Sequence, residues 1–95
     1  MNRDATIKRL QEIRPKLTEM GVESIAIFGS VARDEAVEDS DLDMLVTFDE
    51  TSFDKYMHLL VYLEELFGCK IDLATPKMLH PLIKPFIEQD LLYVA

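Results

Sequence analysis

Tryptophan is absent from this 95-residue chain, cysteine occurs once and glycine three times. A lone thiol, Cys69, excludes an internal disulfide framework and fits a reducing compartment, so a cytoplasmic location is expected. Basic residues are scarce. Ten Lys and Arg stand against eighteen Asp and Glu, for a net charge of −8. That balance argues against a nucleic-acid or anionic-membrane partner, because either surface would repel the chain. No apolar stretch approaches the ~20 residues of a membrane span. The opening Met-Asn-Arg-Asp-Ala-Thr holds no long apolar run, so no signal peptide is expected. Repeats, low-complexity tracts and linkers are missing. His58 and His80 have no ligand-spaced partner, which argues against zinc.

What remains is ordinary for a folded protein: 48% hydrophobic and 29% charged residues in a length that suits one domain over 1–95. Ile7, Leu10, Ile13, Leu17 and Met20 recur at helical spacing, so an amphipathic helix is expected over 3–20, kinked or divided at Pro15 and closed by Gly21. Residues 24–28 form a short apolar run, expected as a buried strand, followed by one helical turn over 31–36. A second strand is expected over 41–48, with Leu42, Met44, Val46 and Phe48 on one face and Asp41, Asp43, Leu45 and Thr47 on the other. Thr51 or Ser52 can cap a second long helix whose buried stripe would be Phe53, Tyr56, Leu60, Leu63 and Phe67, with Gly68 ending it. Residues 70–74 read as a third strand, Pro76, Pro81 and Pro85 divide the tail into short turns, and 91–94 reads as a last strand. The expected class is α+β, a small mixed β-sheet flanked by helices.

Gly29 differs from the other two glycines because it lies between a strand and a polar turn, not at a helix end. Glycine there permits positive φ and a close backbone approach, and successive N–H groups at such a turn attract anions, with the Ser30 hydroxyl as a further donor. A plain tight turn would look the same. Six of the ten residues over 34–43 are acidic. A solvated loop accounts for Asp34, Glu35, Glu38 and Asp39. It does not account for Asp41 and Asp43, which belong to an apolar strand, where aspartate is disfavoured. Like charges two apart on one face repel unless neutralised, and a hard cation such as Mg²⁺ neutralises them, using one or two carboxylates together with substrate phosphates. Asp72, inside Lys70-Ile71-Asp72-Leu73-Ala74, is a third candidate, able to ligate a metal or accept a proton if its strand neighbours theirs. An EF-hand calcium loop starting at Asp39 is excluded by Met44 at the position that requires glycine.

Gly29-Ser30, Ala32-Arg33, Ser40-Asp41-Leu42-Asp43 and the later Asp72 together resemble the minimal nucleotidyltransferase family, the smallest of the polymerase-beta-like nucleotidyltransferases. The resemblance covers nearly the whole chain. It implies that Asp41, Asp43 and Asp72 are catalytic and hold two Mg²⁺ ions. It also implies that Gly29, Ser30, Arg33 and Ser40 bind the nucleotide, with ATP as substrate. It departs from the family at Asp34, where many relatives carry glycine. The acceptor is then expected on a second chain, and the resemblance supplies one: a HEPN-domain ribonuclease toxin, with which an antitoxin of this type forms a complex and to whose tyrosine it transfers AMP. A binding-only antitoxin and a nucleotidyltransferase with another acceptor are the alternatives.

Overall fold

Proline and three glycines punctuate the chain into short elements. A computed structural model describes residues 2–35 and 41–94. The Asn2 side chain accepts the Ala5 N–H at 2.7 Å and opens helix α1, Arg3–Glu12. Pro15 has no N–H to give, so the expected long helix divides and α2, Arg14–Glu19, starts with the proline in its first turn. Leu10 and Leu17 are buried, while Ile7, Ile13 and Met20 pack at the margin of the core. Strand β1, Val22–Phe28, begins two residues earlier than its apolar run. The helical turn that follows, α3, is Gly29–Ala32, so it starts at Gly29 itself and not at residue 31.

Strand β2, Leu42–Phe48, alternates as its sequence requires. The second long helix, α4, is Phe53–Phe67. Ser52 accepts the Lys55 N–H at 3.1 Å to open it, and Gly68 closes it at φ 64°. Such a cap contributes about 1 kcal/mol. The expected stripe on α4 is corrected at one end. Leu59 and Leu63 are the buried pair, flanked by Tyr56, Leu60 and Phe67, whereas Phe53 is 76% exposed. At 3.6 residues per turn Phe53 falls about 100° from the line between Leu59 and Leu63, outside the face that meets the sheet. Strand β3, Ile71–Ala74, a 3₁₀ turn at Pro76–Met78, helix α5, Lys84–Asp90, and a two-residue strand β4, Leu92–Tyr93, complete the chain.

The sheet order is β3-β2-β1-β4. β1 is antiparallel to both β2 and β4, and β2 is parallel to β3. A parallel neighbour needs a crossover connection, and α4 is that crossover. Ile25, Ile27, Met44, Val46, Ile71 and Leu73 face the helix side with Leu10, Leu17, Leu59 and Leu63 and form the main core. Phe28, Leu45 and Ala74 point to the opposite face, where Leu79, Ile87 and Leu91 of the tail cover them. The sheet is therefore mixed and helix-flanked, and its second face is only partly covered.

Candidate functional site

Strand register builds the site. The parallel pairing of β2 with β3 sets Asp43 opposite Asp72, and the antiparallel pairing of β1 with β2 sets Phe28 opposite Asp43. Paired residues share a sheet face. Both carboxylates therefore stand on the partly covered second face, at the end of β1 from which Gly29 turns away. Asp41, exposed, immediately precedes β2.

Gly29 has φ 73°, and a Cβ built on it would fall on Asp43 Oδ2 and lie 3.1 Å from Asp43 Cγ. The Asp43 carboxylate thus occupies the space a side chain at position 29 would need. Glycine is required twice over, by the left-handed backbone and by this contact. The turn is held by backbone bonds: Arg33 N–H to Gly29 O at 3.1 Å, Asp34 N–H to Val31 O at 3.0 Å and Glu35 N–H to Ser30 O at 2.8 Å. Asp34 is left-handed at φ 61°. Aspartate tolerates that region better than most residues, so the turn survives where the resemblance leads one to expect glycine.

The electrostatics are those of crowded negative charge. Burial, then the neighbouring Asp72, push the Asp43 carboxyl from 3.8 up to about 6; Asp41 adds to the rise and Arg33 opposes it. Tyr56 of α4 donates its hydroxyl to Leu73 O, beside Asp72, and burial followed by the Asp72 charge raises its pKa. Among the described residues no three His, Cys, Asp or Glu side chains converge into a metal cage. An oxygen-only donor set of one or two carboxylates left open to phosphate is, however, what Mg²⁺ takes in nucleotide sites. Burial and the neighbouring carboxylates disfavour the Asp43 charge, and a bound cation would offset both, so the residues fit the ion.

Of the expected site residues, Gly29, Asp43 and Asp72 are brought together, with Asp41 near them and Ser30 in the second position of α3. Ser40 lies outside the described residues. Arg33 is placed differently from a simple phosphate contact: its Nη1 donates to Asp90 Oδ2 at 2.7 Å and its Nε to Glu35 Oε2 at 3.2 Å. These partners hold its pKa above the usual arginine value. Arg33, Gly29, Phe28, Ile87 and Asp90 share a cleft of about 380 Å³. Asp90 is the residue the sequence did not suggest. It lies 57 positions from Arg33, beyond the reach of any local pattern.

The nucleotidyltransferase domain family matches residues 7–94. A Methanocaldococcus jannaschii protein named "Putative protein adenylyltransferase" is 52% identical over 77 residues, covering 77% of each chain. The protein adenylyltransferase MntA of Thermococcus cleftensis is 43% identical over 75 residues, covering 78% of this chain and 76% of its own. A solved structure described as a "putative minimal nucleotidyltransferase" superposes with a TM-score of 0.82 at 31% identity, over 97% of this chain and 95% of the other. Two more distant structures share the fold. One is a toxin–antitoxin with AMP-PNP (TM-score 0.69, 18% identity, 100% of this chain and 73% of the other). The other is a Shewanella oneidensis tri-AMPylated HEPN toxin in complex with an MNT antitoxin (TM-score 0.67, 14% identity, 93% and 70%). With the Gly-Ser turn seated against a pair of in-register aspartates on a mixed sheet, this chain belongs to the nucleotidyltransferase domain family and has its minimal fold.

Proposed function

We propose that this chain is a Mg²⁺-dependent antitoxin that transfers AMP from ATP to a tyrosine of a HEPN-domain toxin. One observation carries the reading: Gly29 turns directly against the Asp43 carboxylate, which stands beside Asp72. In this reading a turn that receives phosphate and a carboxylate pair that holds a cation stand at contact distance. The relatives named as protein adenylyltransferases support the reaction class. The distant structures with AMP-PNP and with an AMPylated HEPN toxin support the nucleotide and the partner.

In this reading Asp41, Asp43 and Asp72 hold the metal, which supplies neutralisation of the triphosphate charge when bound. Gly29 and Ser30 receive the β- and γ-phosphates through their backbone N–H groups and the serine hydroxyl. Ser40 and Arg33 add contacts to the nucleotide. The tyrosine oxygen attacks the α-phosphorus, its proton passes to Asp72, the new O–P bond forms and pyrophosphate leaves. The protein contributes alignment and a fixed field rather than a covalent intermediate. No helix among the described residues is long and apolar enough to cross a membrane.

The test is to incubate the protein with α-labelled ATP, Mg²⁺ and the protein encoded beside it, then to measure intact mass. A gain of whole AMP units on the neighbour, lost with Asp41→Asn/Asp43→Asn, is the expected result. Tight binding that survives the double substitution, with no gain, would replace the enzymatic reading with a steric one. The net charge of −8 favours that second reading to the extent that the partner is basic.

A further inference from the structure

Arg33 poses a problem for the site. It ends α3, one short turn from Gly29, and its charge is felt at Asp43. The two neighbouring carboxylates are a strong attractor for a flexible cation. An arginine that collapsed onto them would neutralise the pair and compete with a divalent ion. The structure shows the guanidinium held elsewhere, by Asp90 at 2.7 Å and by Glu35 at 3.2 Å. Glu35 belongs to the same turn and travels with Arg33. Asp90 does not: it is the last residue of α5, whose Ile87 packs on the second sheet face. Asp90 therefore fixes Arg33 relative to the sheet, as a local partner cannot. The two bonds use Nε and Nη1 and leave the Nη2 amino group outside both, and Arg33, Gly29 and Asp90 line one cleft.

We propose that Asp90 is a positioning residue: it holds the Arg33 guanidinium beside Gly29 and away from Asp43 and Asp72, so that Arg33 meets the distal phosphates of a nucleoside triphosphate. This rests on the nucleotide reading above. It predicts discrimination by phosphate number, because a monophosphate bound at the carboxylates has no group that reaches Arg33.

The experiment is calorimetric titration of AMP-PNP and of AMP, each with Mg²⁺, into the full chain and into Asp90→Asn, Asp90→Glu, Arg33→Gln and the Arg33→Gln/Asp90→Asn double variant. Asp90→Asn should weaken AMP-PNP about fivefold and leave AMP within about twofold, in line with a partly exposed charge pair acting through one side chain. Asp90→Glu should recover most of the loss, and the double variant should be no weaker than Arg33→Gln alone, since both changes act through one group. Equal weakening of AMP and AMP-PNP would mean that Asp90 merely docks α5, and additive losses would mean that the two residues act separately; either overturns the proposal. A wild-type chain that binds AMP-PNP while Asp90→Asn binds it equally well overturns the role of Asp90 alone. A wild-type chain that binds neither nucleotide overturns the nucleotide reading with it.

Discussion

Replacing Asp43 with asparagine should stabilise the metal-free protein while abolishing its activity. The folded protein holds the Asp43 carboxyl at about 6, against 3.8 for an unperturbed one, chiefly through burial and the Asp72 charge. Folding therefore costs free energy whenever Asp43 must be ionised. The full shift of roughly two units would correspond to about 3 kcal/mol. Asp43 is only half-buried and solvent screens it, so about 1–1.5 kcal/mol is the realistic penalty. The sign follows from the raised value. The penalty is fully present above pH 6, shrinks as pH falls through 6 and is gone below 3.8, where both states are protonated. Asparagine keeps the shape and can donate to Asp72 at any pH. Thermal melts in chelator should therefore show Asp43→Asn higher than wild type by about 5–10 °C near pH 8, a domain of this size shifting about 4–8 °C per kcal/mol. The difference should close as pH approaches 4. A variant no more stable than wild type at pH 8, or one whose gain is the same at pH 5 and pH 8, would refute the electrostatic account of the site.

Gly29→Ala should cost about 1–2 kcal/mol from left-handed strain alone and more from displacing Asp43, read as a lower urea midpoint together with lost nucleotide binding; an unchanged midpoint would show that the turn relaxes freely. Ser52→Ala should cost about 1 kcal/mol by uncapping α4, with Ser52→Asp recovering most of it. Unfolding in urea at pH 7 measures both, and an equal loss in Ser52→Asp would count against the cap.

Much of the fold was legible because it is written locally. The alternation of Leu42, Met44, Val46 and Phe48 sorted β2 into a core face and an outer face, and the outer face carries Asp43 as expected. Gly21 and Gly68 marked helix ends by backbone conformation. Pro15 divided the first helix by a missing donor. The pairing of Asp43 with Asp72 was legible only as a condition, since adjacency of β2 and β3 depends on packing across α4. Three features were not legible. Phe53 obeys the spacing of a buried stripe loosely enough to fall outside it once the helix is rotated to seat Leu59 and Leu63. The Gly29–Asp43 contact arises from antiparallel pairing, which no spacing encodes. The Arg33–Asp90 pair joins a turn to the end of a late helix, and both residues read as ordinary surface charges until the chain is folded.

The in-register pairing of β2 with β3 also acts as a proofreading device. A slip of one residue would rotate Asp72 into the apolar side beneath α4 and throw Leu73 out to water. The core would reject that arrangement before any substrate could test it. Correct chemistry and correct packing are thus one condition rather than two. A molecule of this chain that has buried Leu73 has, by the same step, turned its third aspartate to the face that carries Asp43, and quality control of the fold is in that respect quality control of the site.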